Sequence, residues 1–302
     1  FGARPTGGAL RPSSRWTPYL LVGPAVAFFG FVVGLPMLGT IWLSFNSWSG
    51  TNDIEFIGFD NFTRAFHDTV YRTTYVNTLI YIAATLVLEV AVGFALAGLV
   101  SVKGKRTAWY RVTFFIPVML PMVVIAVLWS FIYSNDGGLL NSFLTAIGQE
   151  DLTHVWLGDP NTALLSISVV SGWIYAGFYM AIFYAALQRV PASLQEAARL
   201  DGVSEWGLFF KIKVPLVRGM TEVAALLCIT GAFQSFDLFY VMTNGGPDHS
   251  TEIVTTYLVS IVFRDHEVGY GAALSVIMTV VVVGIGLIYA KLRSGDGVDI
   301  EY

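Results

Sequence analysis

Six long apolar blocks, separated by short polar breaks, constrain this chain more than any other feature. They cover about residues 19–45, 75–100, 108–133, 163–187, 220–242 and 270–292. A bilayer core requires about 20 consecutive apolar residues, which each block supplies. In lipid every backbone polar group must be satisfied within the protein, and a helix does this within its own segment. The expected fold is therefore an all-α membrane protein with six transmembrane helices. Charged residues make up 13% of the chain, about half the share usual in soluble domains. The expected organisation is an N-terminal cytoplasmic segment (1–18), a six-helix domain (19–292) and a cytoplasmic tail (293–302). Arg4, Arg11 and Arg15 precede the first block, as in a signal peptide, but the apolar stretch is too long for one. No small-residue cleavage site follows near Trp42 to Trp48, so the block reads as a retained anchor.

The basic residues give an orientation. On this map Arg64, Arg72 and Arg264 fall on one side, and the other fourteen of the 17 Lys and Arg fall on the opposite side. Cytoplasmic loops carry the excess of Lys and Arg, which puts both termini in the cytoplasm of a bacterial inner membrane. Trp16, Tyr19, Trp48, Tyr75, Trp109 and Tyr133 lie near block ends, as interfacial aromatics do. The outer loop 134–162 holds Asp136, Glu150, Asp151 and Asp159 and neither Lys nor Arg. A net charge of −4 without a basic tract argues against a nucleic-acid partner. The single cysteine, Cys228, lies inside an apolar block and reads as a small buried residue. His67, His154, His249 and His266 all fall in outer loops, and their spacing suggests no metal site.

The break at 191–215 is different in kind. Ser193 is an expected N-cap, with Glu196 three residues on to complete a capping box. Gly202 suits a left-handed C-cap, Ser204 can start a second helix, and Pro215 is expected to stop it. Trp206, Phe209 and Phe210 form an apolar stripe on that second helix. The residues alone leave two readings: an interfacial amphipathic hairpin without a partner, or a docking element in which Ala197 and Ala198 permit close approach and Glu196 offers a charge.

Glu196-Ala197-Ala198, then Gly202, then Ile212 and Pro215 resemble the coupling-loop signature of binding-protein-dependent ABC importer permeases. The one departure is Val214, an apolar swap for Leu. The resemblance extends over most of the chain. Ile57-Gly-Phe-Asp-Asn61-Phe, Phe115-Ile-Pro117, Asn135-Asp-Gly-Gly-Leu-Leu-Asn141, Phe233-Gln-Ser-Phe-Asp237, Thr243-Asn-Gly-Gly-Pro247 and Gly269-Tyr-Gly-Ala-Ala-Leu-Ser275 are similar to the maltose-type and glycerol-phosphate-type branches.

The resemblance implies a type I importer with a second homologous permease, two ATP-binding cassette subunits and an external solute-binding protein. It implies that Glu196, Ala197, Ala198, Asp201, Gly202, Ile212 and Pro215 couple the chain to the ATPase. It implies a substrate path through Ser134, Asn135 and Gly138, and through Phe233, Gln234, Ser235 and Asp237. Interhelical hydrogen bonding is the competing role for each of these. A disaccharide or oligosaccharide is the expected solute, with glycerol-phosphate esters second. The chain carries no phosphate-binding loop: the string from Gly98 to Arg106 has the wrong glycine spacing and lacks the hydroxyl residue. No cofactor is expected on this chain, with ATP and magnesium held by the partner ATPases, and the chain itself is expected to be non-catalytic. Carboxylates at membrane depth are usually functional or paired, and Glu89 and Asp237 are the clearest. Asp237 falls in the path that the resemblance implies, whereas Glu89 reads as structural, since the resemblance maps no sugar contact there. A different class, an ion-coupled secondary transporter, would use these two as a proton relay. Only the importer reading accounts for the 191–215 loop.

Overall fold

The computed structural model describes residues 17–102 and 108–294. Arg4, Arg11, Arg15, Lys103, Lys105 and Arg106, with most of the expected terminal segments, lie outside the described residues. Four helices are long and apolar enough to cross a membrane without interruption: Tyr19–Leu43, Thr69–Ser101, Ala163–Gln188 and Val268–Leu292. Two bent pairs bring the number to as many as six if each is one span.

The third apolar block is not one straight helix. Trp109–Met119 and Met122–Ile132 meet at 96°. Leu120 is extended (φ −83°, ψ 147°), the conformation a residue before proline prefers, and Pro121 cannot continue the ladder. The fifth block is broken too. Arg218–Gln234 ends at Ser235, and Asp237–Met242 resumes after Phe236. Upstream, Glu205–Leu216 joins Arg218–Gln234 at 66°.

The second span begins at Thr69 rather than Tyr75, because the Asp68 carboxylate accepts the Tyr71 N–H at 3.0 Å and caps the first turn. Polar residues that make 69–78 look like loop are its contacts. Tyr71 donates to the Leu274 carbonyl at 3.3 Å, and Asn77 donates to the carbonyls of His249 and Glu252, each at 2.9 Å.

Ala163–Gln188 is the central element, its buried residues running from Ala163 to Leu187. Gly177 permits the tightest approach. A Cβ there would lie 1.7 Å from the Phe114 carbonyl oxygen, so only glycine lets the third-block elbow cross the central helix. The two-residue antiparallel ribbon Asn46–Ser47 with Glu55–Phe56 follows the first span. Asn61 fastens it by donating to the carbonyls of Ser44 and Asn46, both at 3.0 Å. A short apolar helix, Val254–Arg264, also packs at this end, too short for a span and so unmarked by length in the sequence.

Candidate functional site

The 191–215 loop folds as a helical hairpin. Its first helix is Ala192–Leu200, which starts after Pro191 without a side-chain cap. Ser193 therefore lies inside the helix, and the expected capping box does not form, because Pro191 already sets an extended N-cap. The C-terminus matches the expectation. Gly202 is left-handed (φ +76°), its N–H reaches the Arg199 carbonyl at 3.1 Å, and the Val203 N–H reaches that of Ala198 at 3.0 Å. This is a Schellman motif.

Ser204 caps the second helix by accepting the Gly207 N–H at 3.1 Å. That helix does not stop at Pro215. A π-helical turn, Phe209–Lys213, runs without a break into Val214–Leu216, so Pro215 lies one residue from the helix's end, and the chain turns at Val217 before the fifth span. Arg199 and Glu205 pair across the hairpin at 2.8 Å, both half exposed.

The hairpin has two distinct surfaces. Glu196, Ala197, Asp201 and Gly202 are exposed, and Leu200 between them is 90% exposed. Ala198 is buried, Ile212 is half-buried and Pro215 is exposed. The expected aromatic stripe splits. Trp206 and Phe210 stack on each other at 6.0 Å and remain largely exposed. Phe209 is 4% exposed, packs over Gly98, and meets Phe94 at 5.8 Å, which in turn meets Phe183 at 5.0 Å. One ring thus ties the hairpin to the second and fourth spans.

The second feature is a cavity of about 400 Å³ among the spans. Tyr81, Thr85 and Glu89 line it from the second span, Tyr175 and Tyr179 from the fourth, and Gln234, Ser235 and Asp237 from the break in the fifth. Glu89 is 5% exposed and accepts from Ser171 Oγ at 2.7 Å, while Cys228 Sγ lies 3.7 Å from its other oxygen. Ser171 has one hydroxyl hydrogen and spends it on Glu89, so its oxygen is left to accept from Tyr81 at 2.8 Å. The Tyr81 oxygen stands 3.5 Å from Ser235 Oγ, and the Ser235 carbonyl accepts from Thr255. A chain of polar contacts therefore runs from Glu89 to the fifth-span break.

Of the residues expected along the substrate path, Gln234, Ser235 and Asp237 meet in this cavity. Phe233 does not: it is buried in the core and packs 6.5 Å from the Tyr75 ring centroid. Asn135 lines a separate, open pocket with Thr153, His154 and Asp159. Ser134 contacts the Asp136 carbonyl at 3.3 Å, and Gly138 is buried against the Ser134 backbone. Tyr81, Thr85, Ser171, Tyr175 and Tyr179 are the lining or supporting groups that motif reading missed. Their signal is the four-residue spacing of 81, 85, 89 and of 171, 175, 179, which stacks each set on one helix face.

A helical membrane bundle around a polar, aromatic-lined cavity, with an exposed hairpin wedged into it, defines a membrane transport protein. A family model for the binding-protein-dependent transport system inner membrane component matches residues 89–293, and the chain belongs to that family. It is a permease component of an ABC importer. The probable ABC transporter permease protein YurN of Bacillus subtilis is 37% identical over 91% of this chain and 94% of its own length. The diacetylchitobiose uptake system permease protein NgcF of Streptomyces coelicolor is 32% identical over 90% of this chain and 79% of its own. The fold matches a chain of a bacterial ABC transporter that imports the acidic polysaccharide alginate, with a TM-score of 0.80 at 20% identity, covering 92% of this chain and 94% of that one.

Proposed function

We propose that this chain is one membrane subunit of a carbohydrate importer, with six spans and both termini in the cytoplasm. It works beside a second permease, two ATPase subunits that hold ATP and magnesium, and an external solute-binding protein. It performs no bond chemistry itself. The observation that carries the reading is the two-faced hairpin: Glu196, Ala197, Leu200, Asp201 and Gly202 are exposed on one side, while Phe209 is locked into the bundle on the other. A partner that pushes on Glu196, Ala197, Leu200, Asp201 and Gly202 moves Phe209, and Phe209 moves the second and fourth spans. Ala198 keeps the hairpin closed, and Ile212 and Pro215 fix its return to the membrane. Packed interiors transmit such displacements because they deform little. Rigid-body rocking of spans around a fixed site is how alternating access is achieved.

The solute reading rests on the cavity. Its volume falls in the range of small-molecule sites, and its aromatic faces beside hydroxyl, amide and carboxyl groups suit a sugar ring and its hydroxyl rim. Gln234, Ser235 and Asp237 are assigned to that contact. The NgcF name supports a disaccharide-sized solute.

The test uses the intact complex, copurified and reconstituted in lipid. Glu196→Lys reverses the exposed charge. Gly202→Asn places a side chain on the docking face while keeping a residue that tolerates positive φ, in a position with open space around it. Both variants should keep the ATPase subunits bound yet lower solute-driven uptake at least about fivefold, the low end of typical couplings between sites. Normal uptake in both would sink the reading.

A further inference from the structure

Of the two carboxyl groups that line the cavity, Glu89 is the one that the importer reading leaves without a task. It sits on a π-helical turn, Leu86–Ala91, inside the long second span. Such turns recur at functional sites, where one extra residue re-aims a side chain. Its carboxyl is oriented by Ser171 at 2.7 Å and Cys228 at 3.7 Å, and it lines the cavity wall. Two donors leave it unsaturated, because a carboxylate offers about four lone-pair sites. Asp237 lines the same cavity from the fifth-span break. Among the described residues that line it there is no Lys, Arg or His. An unpaired carboxylate at membrane depth is costly, which is the usual mark of a functional group.

We propose that Glu89 is a specificity-determining residue of the solute path: it accepts hydroxyls of a neutral saccharide and, with Asp237, excludes anionic ones. This rests on the carbohydrate reading above and narrows it. The neutral solute supplies the donors that Glu89 lacks. An anion brings a like charge into a space without a compensating cation. The likeness in fold to an alginate importer then does not extend to acidic cargo.

The test is equilibrium binding by microcalorimetry to the reconstituted complex, without the solute-binding protein, so that the selectivity measured belongs to the membrane cavity. The neutral probes are diacetylchitobiose, maltose and cellobiose, and the anionic probe is dimannuronate. Wild type should bind at least one neutral probe, and dimannuronate at least about tenfold more weakly, the size expected for like charges roughly 10 Å apart at an effective dielectric near 20. Glu89→Gln keeps the volume and an acceptor for Ser171. It should weaken the neutral probe and cut the discrimination to the part that Asp237 alone supplies. Glu89→Asp should retain the discrimination, because it retains the charge, while binding the neutral probe less well. Gln and Asp variants that both discriminate like wild type would overturn the role of Glu89 and leave the importer reading intact. An Asp variant that loses discrimination as Gln does would also overturn it, since charge would not be the cause. If wild type binds none of the neutral probes, the carbohydrate reading itself fails.

Discussion

At the N-terminal end of the second span one carboxyl joins three elements. Asp68 caps its own helix through Tyr71 N–H, while its second oxygen accepts from Tyr257 at 2.6 Å and Tyr270 at 2.7 Å. Burial pushes this carboxyl up, but the hydrogen bonds from Tyr257, the Tyr71 backbone and Tyr270 outweigh burial and hold it below the ordinary carboxylate range. A folded-state value below the unfolded one means stability that is present above about pH 4 and lost as pH falls through the folded value. The part of the thermal midpoint that Asp68 supplies, read as the difference between wild type and Asp68→Asn, should therefore stay level from about pH 8 to about pH 5 and shrink below about pH 4. Asp68→Asn should lower the midpoint at neutral pH by about 2–4 °C, as expected for a loss of roughly 1 kcal/mol in a chain of this size, and should blunt the acid drop. An acid limb equally steep in the variant would assign that limb to other groups.

At the scale of elements, the elbow in the third block and the central helix depend on each other. Gly177 faces the Phe114 carbonyl so closely that a methyl group has no room, and the obstacle is backbone rather than a movable side chain. Gly177→Ala should cost about 1–3 kcal/mol or more and lower the thermal midpoint by about 2 °C or more. Gly286→Ala, inside the last span with open space around it, should not lower the midpoint and should raise it by up to about 4 °C, because Ala costs less than Gly in a helix interior. Equal midpoints for the two variants would mean that the elbow does not press on Gly177. This contrast also marks what the sequence can disclose. Apolar length is a local property, so the first, second, fourth and last spans are legible from composition. The 96° bend is half legible: Pro121 announces a break, but the close seat of the first limb against Gly177 through the Phe114 carbonyl is a tertiary contact that local sequence does not disclose. Likewise Gly202 advertises its C-cap through its own backbone freedom, whereas Ser193 looks like a cap and is not, because Pro191 fixes the helix start two residues earlier. In the cavity, Glu89 and Asp237 are conspicuous in apolar blocks. Ser171 and Tyr179 acquire meaning only once the second and fourth helices face each other.

At the scale of the whole molecule, the hairpin can meet an ATPase only if residues 191–215 lie in the cytoplasm. The charge asymmetry of the sequence leads to the expectation of the same side. The chain itself supplies a clean way to test this, since its one cysteine, Cys228, is 3% exposed and buried among the spans. A membrane-impermeant maleimide should leave the unmodified chain almost unlabelled in intact cells. Asp136→Cys, on the exposed turn of the outer loop, should label in intact cells. Arg189→Cys, exposed at the opposite end of Ala163–Gln188 and one residue before the hairpin's base at Val190, should label only after the membrane is opened. The two sites lie on either side of the central helix, so their labels must exchange together if that helix is inverted. Labelling of Arg189→Cys in intact cells, with Asp136→Cys protected, would reverse the orientation. It would remove the hairpin from the compartment where ATP is hydrolysed, and with it the mechanical route from Glu196 through Phe209 to the spans.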